Sequence, residues 1–405
     1  MRILFLSEQL PYPLHDGGNL RTYHVLKALA TRHEVTLVTH CDKTQSRKAL
    51  TAFDGLCRVV AVPESGTGIR LGGNIARFGY SGRPLFVLKN RSQRLLREAR
   101  RQLESEPFDV VHFSHLDTAC YVCEGHWSAK TVFDTHNCLS AMASQFDGRT
   151  VGRTRAAVLA REARSLRRFE AEVCAAVDAV LVCSESDEKE FRQLCDSGHY
   201  HVVPNGVDTN YFSAKLRDEE QQGELVFTGA MGYAPNEQAA LYFCRKILPR
   251  LHQQGISARV TFVGRGPSPR VKSLHNGTTI RVTGEVDDVR PYLRRAQVVV
   301  VPLRHGSGTR LKILEAFAMG KPVVSTRLGA EGIPCEHERE ILLADDDFAF
   351  AHQLVRLLND PTARRRIGQA AQRQARRQFD WAAIGEKLCN VYDQLAGSRL
   401  AIGTR

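Results

Sequence analysis

Apolar positions fall into short unbroken runs, separated by longer stretches with helical spacing. The first run, RILFLSEQ (2–9), reads as a buried strand. A glycine-containing loop, PYPLHDGGNL, follows it, then an amphipathic helix, RTYHVLKALATR, and a second strand, HEVTLVTH. This β-loop-α-β order starts a doubly wound sheet with a ligand loop at a strand's carboxyl end. Further strands are predicted at 109–114, 130–136 and 179–184. After YHVVPNGVD the pattern restarts, with strands at 224–230, 258–266, 279–286, VVVVPL (298–303) and 322–327, and a long helix over NEQAALYFCRKILPRLHQQG. The expectation is an α/β protein with two Rossmann-like doubly wound domains, 1–204 and 205–380, facing across a cleft. A helix within 381–405 is expected to pack back across their junction. Length agrees, since 405 residues exceed the size at which a single core stops growing.

One stretch carries unusual chemistry for its length. HGSGTRLKILEAFAMGKPVV (305–324) runs from a glycine-rich turn into a helix with two cations and one carboxylate. The turn at Gly306, Ser307 and Gly308 frees backbone N–H groups beside a helix N-terminus, where orphan donors and the helix dipole favour an anion such as phosphate. Arg310 and Lys312 add positive charge. Glu315 lies three residues beyond Lys312, so it either pairs weakly with that lysine or accepts hydrogen bonds from sugar hydroxyls.

Composition narrows the classes. Hydrophobic residues make up 43% and charged residues 25%, an ordinary globular balance. The N-terminus lacks the pattern of a signal peptide, and no apolar stretch reaches the ~18 residues of a membrane span, so a cytoplasmic location is expected. Eleven cysteines without an even framework read as reduced thiols, and the lone Cys120–Cys123 pair has no second pair at zinc spacing. The net charge of +12 gathers in helical stretches at 89–103, 152–173 and 363–379. Those faces are read as solvated, with contact to an anionic membrane surface on the inner face of the cytoplasmic membrane as the alternative. No nucleic-acid motif accompanies the charge.

Together, PYPLHDGGNLRTYHVLKALA, VVPNGVDTNYF, FTGAMGYAPNEQAALYFC, TFVGRGP, VTGEVDDVRPYL and HGSGTRLKILEAFAMGKPVVST resemble the retaining glycosyltransferases of family 4, which have the GT-B fold. The motif order is similar to that of exopolysaccharide sugar transferases of the type linked to PEP-CTERM systems. The resemblance implies that a nucleotide diphosphate sugar is the donor and lies against the C-terminal domain. The acceptor, a polysaccharide or lipid-linked saccharide, would lie against the N-terminal one. It implies no metal and no cofactor beyond the donor substrate. Glu315 matches the last glutamate of the family signature, which binds the nucleotide ribose, whereas the first falls on Ser307. The arginine and lysine that many members carry after the first strand of the C-terminal domain are replaced by GAMGYAPNEQ, so Arg310 and Lys312 are assigned to the diphosphate.

A histidine after an N-terminal strand contacts the transferring sugar in the family. His112 and His115 are both eligible, and His115 is preferred because it stands at the strand end. The candidate catalytic residues are therefore His115, His136 and Lys312. Candidate substrate contacts are Asp16, Gly17, Gly18, His112 and Asp134 in the first half, and Gly229, Gly264, Val286, Ser307, Gly308, Thr309, Arg310, Leu311 and Glu315 in the second. Each has a plainer reading: Gly17 and Gly18 as a tight turn, Asp134 and His136 as helix-cap residues, Gly264 as a structural turn.

Three other functions share parts of this pattern. A GT-B epimerase would keep the diphosphate site without needing an acceptor surface. A non-catalytic nucleotide-sugar-binding protein would fit the serine at position 307. A nicotinamide dehydrogenase is disfavoured, since VGRGPS only partly imitates the dinucleotide fingerprint and Pro267 and Pro269 oppose a following helix.

Overall fold

A computed structural model of the chain describes residues 1–14, 16–41, 49–63, 82–144, 153–213, 220–306 and 308–400. Ser307 lies outside the described residues. The chain divides into two compact units, Met1–Pro204 with Ile384–Arg405, and Asn205–Ala383.

The first unit is a seven-stranded parallel sheet. Its strands are β1 (Arg2–Gln9), β2 (Glu34–Cys41), β3 (Arg58–Pro63), β4 (Val110–Ser114), β5 (Lys130–Asp134), β6 (Ala179–Val182) and β7 (Tyr200–Val202), in the order β3-β2-β1-β4-β5-β6-β7. The register between β1 and β4 pairs Phe5 with His112 and Leu6 with Phe113. Strands buried on both faces explain the unbroken apolar runs, because every residue from Ile3 to Leu6 is shielded from water.

The second unit repeats the plan with six parallel strands. They are β8 (Glu224–Thr228), β9 (Arg259–Val263), β10 (Ile280–Val282), β11 (Val298–Val301), β12 (Val323–Ser325) and β13 (Leu342–Leu343), in the order β10-β9-β8-β11-β12-β13. Val298 to Val301 are all fully buried and form the centre of its core.

In each sheet the order reverses once, between β1 and β4 and between β8 and β11. At such a switch point neighbouring loops leave in opposite directions and open a crevice at the strands' carboxyl ends. The loops in question lead into Gly17–Ala30 and His115–Ala119 in the first unit, and into Ala234–Tyr242 and Leu311–Ala318 in the second.

Three strands were not expected from the sequence, namely β3, β7 and β13. They are short or half-exposed edge strands, and β3 was passed over although RVVAVP is itself a β-branched run. The helix expected over 236–255 is broken into Ala234–Tyr242, a wide π turn at Phe243–Ile247, and Leu248–Gln253. Pro249 accounts for this, since it lacks an N–H and its ring crowds the preceding turn. A prolyl residue also opens the one-turn helix Pro269–Lys272, contrary to expectation, because the first position of a helix needs no N–H. The terminal helix Trp381–Leu400 belongs from Ile384 onward to the first unit, where Tyr392 is fully buried. All eleven cysteines are free thiols, and no helix among the described residues is long and apolar enough to cross a membrane.

Candidate active-site residues in the two units

In the second unit the strand ends are locked together by glycines. Gly229 follows β8 and donates its N–H to Val263 O at 2.9 Å, and Gly264 follows β9 and donates to Gly284 O at 3.1 Å. A Cβ on Gly264 would sit 1.9 Å from Gly229 O, so no other residue fits this approach. Helix α1 (Ala234–Tyr242) then places Asn236 beside the turn, where its amide N–H donates to Ala230 O at 2.9 Å. The other end of that amide accepts from Lys312 Nζ at 2.9 Å.

Lys312 is the second residue of helix α2 (Leu311–Ala318). Its ammonium lies 4.0 Å from the centroid of the Phe227 ring and 2.8 Å from where a Gly229 Cβ would stand. The sequence after β8 contains no cation, yet the fold delivers one there from the other side of the switch point. Burial pulls the Lys312 ammonium down to about 7, with Arg310 adding to the effect and Glu315 opposing it. Burial likewise pushes Glu315 up to about 7, and Lys312 opposes the rise. The arrangement is a cation and a carboxyl poised near neutrality, with an amide as the lysine's hydrogen-bond partner.

The loop before this helix has Gly306 and Gly308 in the left-handed region, at φ 105° and 84°. A Gly306 Cβ would approach Arg310 Nη2 to 3.3 Å, so the glycine leaves room for that guanidinium. Thr309 Oγ1 is buried without a hydrogen-bond partner. Val286 and Leu311 are half-buried and pack against the core of this unit.

In the first unit Asp16 caps the helix Gly17–Ala30, accepting from Asn19 N at 2.9 Å. Gly17 and Gly18 form the first helical turn, and neither has a positive φ, so the tight-turn reading is replaced by one of space. A Cβ on Gly18 would stand 3.3 Å from Asp16 Oδ1 and 3.5 Å from His136 Nδ1. Beside them His115 opens the short helix after β4 with φ 70°, an uncommon and costly conformation for a residue with a side chain. Its Nδ1 lies 3.4 Å from Asp117 Oδ2, and its ring centroid is 5.1 Å from that of His136 and 5.6 Å from that of Phe86.

Two of the proposed substrate contacts are corrected. His112 is fully buried inside β4, stacked on Phe5 at 4.0 Å and hydrogen-bonded through Nδ1 to Tyr392 Oη at 2.5 Å. Burial lowers its pKa to about 4, and it is a neutral core residue. Asp134 is also fully buried, and both its oxygens face Arg21, with the closest contact at 2.6 Å. Arg21 donates as well to Val203 O at 2.9 Å. The carboxylate therefore neutralises an internal cation and does not reach solvent.

Arg21, Asn236 and Asp117 had not been singled out in the sequence. Arg21 sits in an ordinary amphipathic helix pattern, and nothing local distinguishes it. Asp117 stands two residues beyond His115, and Asn236 opens the helix expected over 236–255, and those positions were the available signal.

A model described as Glycosyltransferase Family 4 matches residues 15–211, and one described as Glycosyl transferases group 1 matches 222–360. The chain belongs to the GT-B glycosyltransferases. Glycogen synthase of Mycobacterium tuberculosis is 24% identical over 408 residues, covering 97% of this chain and 94% of that one. Phosphatidyl-myo-inositol mannosyltransferase of Mycobacterium leprae is 27% identical over 212 residues, covering 50% and 56%. Among solved glycosyltransferase folds, sucrose-phosphate synthase of Thermosynechococcus elongatus superposes with a TM-score of 0.72 at 18% identity, covering 98% of this chain and 100% of that one. HepE of Anabaena, solved in complex with UDP and glucose, gives 0.67 at 15% identity, covering 97% and 100%. The two family domains fall on the two units described above, each containing one of the two groups of site residues.

Proposed function

We propose that this glycosyltransferase moves a hexosyl group from a nucleoside diphosphate sugar to a saccharide, as part of a polysaccharide or lipid-linked glycan, with retention at the anomeric carbon and without a metal. The observation that carries the reading is the Lys312 ammonium held by Asn236 against the β8 turn, with Glu315 one helical turn away. Lys312, Arg310 and the first N–H groups of the Leu311–Ala318 helix supply positive charge where a diphosphate would develop negative charge on leaving. Glu315 offers a carboxyl for the two ribose hydroxyls. HepE in complex with UDP and glucose, and the mannosyltransferase acting on phosphatidyl-myo-inositol, support the donor class and a lipid-linked acceptor.

In the proposed reaction the bond from the anomeric carbon to the β-phosphate oxygen breaks. The acceptor oxygen bonds to the same face of the sugar, and its proton passes to the departing phosphate oxygen. The first unit would carry the acceptor, and its basic surface helices would meet an anionic membrane on the inner face of the cytoplasmic membrane. The test is transfer from UDP-, GDP- and ADP-hexoses to bacterial lipid-linked saccharides, with and without EDTA, and product configuration read by proton NMR. An inverted product refutes retention, and loss of activity in EDTA refutes metal independence.

A further inference from the structure

The second unit carries a cavity of about 500 Å³ that the proposed reaction does not use. Its volume falls in the ~300–1,000 Å³ range of small-molecule sites. One wall is the loop from Pro334 to Glu340, which leads into the amino end of β13. The other is the end of the helix Pro361–Gln374 with the wide π turn Ala375–Phe379 that follows it, a local widening that often marks a functional place. The strands of this sheet run parallel, so the amino end of β13 lies opposite the carboxyl ends that carry Gly229, Gly264, Gly306 and Gly308.

The two walls differ in how their charges are matched. In the loop Glu340 is 5% exposed, and it accepts from Glu336 N at 3.1 Å and from Arg339 Nε at 2.9 Å. Arg339 also meets Glu336 at 3.0 Å, and Glu338 pairs with Arg356. On the helix Arg373 and Arg377, part of the basic stretch 363–379, are exposed and have no ion pair among the described residues. Asp380, the carboxylate nearest to them in sequence, instead accepts from Thr209 N at 3.3 Å and from Ala382 N at 2.8 Å. Like charges at this helical spacing repel, so a dianion between the two guanidinium groups relieves a cost, and their planar forks suit phosphate.

The rest of the lining decides what carries that phosphate. Gln374 Nε2 donates to Pro334 O and ties the helix to the loop, while its Oε1 is buried without a hydrogen-bond partner. An amide oxygen only accepts, so it asks for a hydroxyl, which a bare phosphate dianion does not offer. The Glu336 and Glu340 carboxylates also only accept, and they suit a ligand whose far end is neutral and hydroxylated. Pro334, Cys335 and Ala370 add apolar surface, and burial pushes the Cys335 thiol up to about 12, which leaves it uncharged near neutrality. Among the described residues no aromatic side chain lines the cavity, so a nucleobase would find no stacking face. We propose that this cavity is a separate ligand site for a hexose phosphate, with Arg373 and Arg377 on the phosphate and Gln374 and Glu336 accepting from sugar hydroxyls. The site goes beyond the proposed transfer reaction and is a property of the second unit alone.

The test is calorimetric titration of the full chain with glucose 1-phosphate, glucose 6-phosphate, inorganic phosphate and glucose, each with and without saturating UDP. A hexose phosphate is expected to bind whether or not UDP is present, with inorganic phosphate and glucose each weaker by about tenfold or more. The double variant Arg373→Gln with Arg377→Gln changes two exposed side chains. It is expected to weaken the hexose phosphate by about tenfold or more and to change UDP affinity by less than about twofold. Gln374→Ala is expected to weaken the hexose phosphate and to leave inorganic phosphate unaffected. Displacement of the hexose phosphate by UDP, undiminished binding in the double variant, or no binding by the unmodified chain overturns the site. Equal affinity for inorganic phosphate and hexose phosphate overturns the sugar's part in it. Retention on phosphatidylglycerol vesicles that the double variant loses, without any hexose phosphate binding, assigns the two arginines to a membrane face and overturns the cavity. Absence of UDP, GDP and ADP binding overturns the proposed reaction instead, and the double variant still judges the hexose phosphate site.

Discussion

Two cations, one in each unit, are treated in opposite ways, Arg21 being wholly buried and Lys312 half-buried. Arg21 is 1% exposed, and Asp134 answers it at 2.6 Å with a side chain that is itself wholly buried. Burial works against the guanidinium charge, yet Asp134 and Cys183 more than offset it, and the pKa is raised. Lys312 is hydrogen-bonded to the neutral amide of Asn236 and faces the Phe227 ring, and burial outweighs the Glu315 carboxyl one helical turn away, so its pKa falls to about 7. An internal cation matched by its own carboxylate is committed to the fold. One bonded to a neutral amide has its charge destabilised by burial, and in the proposed reaction an incoming anion restores it.

The largest effect expected from this contrast is on stability. Asp134→Ala leaves Arg21 buried without its counter-charge and is expected to cost about 3–5 kcal/mol in urea unfolding. Lys312→Ala is expected to cost little or to stabilise, and similar losses from the two variants would erase the distinction. For ligand binding the order reverses. Lys312→Ala should weaken UDP by about tenfold to a hundredfold, the range of a charge-assisted hydrogen bond at about 1.5–3 kcal/mol, with a smaller loss for UMP. Equal losses for UDP and UMP in calorimetry would take Lys312 away from the diphosphate. Glu315→Gln should cost about tenfold, ~1.4 kcal/mol, in affinity for a nucleotide and none for its ribose-free diphosphate fragment.

Acidity sharpens the same comparison. Lys312 is protonated below about pH 7 and neutral above it, so UDP affinity is expected to fall as pH rises through 7, with proton uptake on binding above that point. Lys312→Arg should reduce this slope to the share of Glu315, which titrates in the same range, and an unchanged slope would take Lys312 out of the effect. The smallest expected effect concerns the surface. Arg164 and Arg168 are exposed on one helix, and reversing both charges should alter stability by no more than about 0.5 kcal/mol while lowering retention on anionic vesicles. Unchanged retention would leave that face merely solvated.

Much of the second unit's site was legible because its chemistry is local. Gly306, Gly308, Arg310, Lys312 and Glu315 lie within ten consecutive positions, and glycines beside a helix start leave a recognisable trace. The partner of Lys312 was not legible, since Asn236 precedes it by 76 residues and meets it only across the switch point. In the first unit His115 and His136 stood out at strand ends. Their neighbours His112 and Asp134 were also named as substrate contacts, though His115 was preferred to His112 as the catalytic residue, because a sequence shows residue type and spacing but not which side of a strand end opens to water. The edge strands β7 and β13 were missed because two or three residues are too few to show a pattern, whereas β3 was missed although RVVAVP is a β-branched run.

The amino-acid sequence alone determined the two α/β repeats, the central strands and the anion-seeking loop, because buried parallel strands demand continuous apolar runs and tight loops demand glycine. Tertiary structure decided which polar groups are matched inside the fold and which are left for the proposed donor. That outcome depends on charges brought within a few ångströms across 113 residues for Arg21 and Asp134, and across 76 for Lys312 and Asn236, a distance relation that no local pattern encodes.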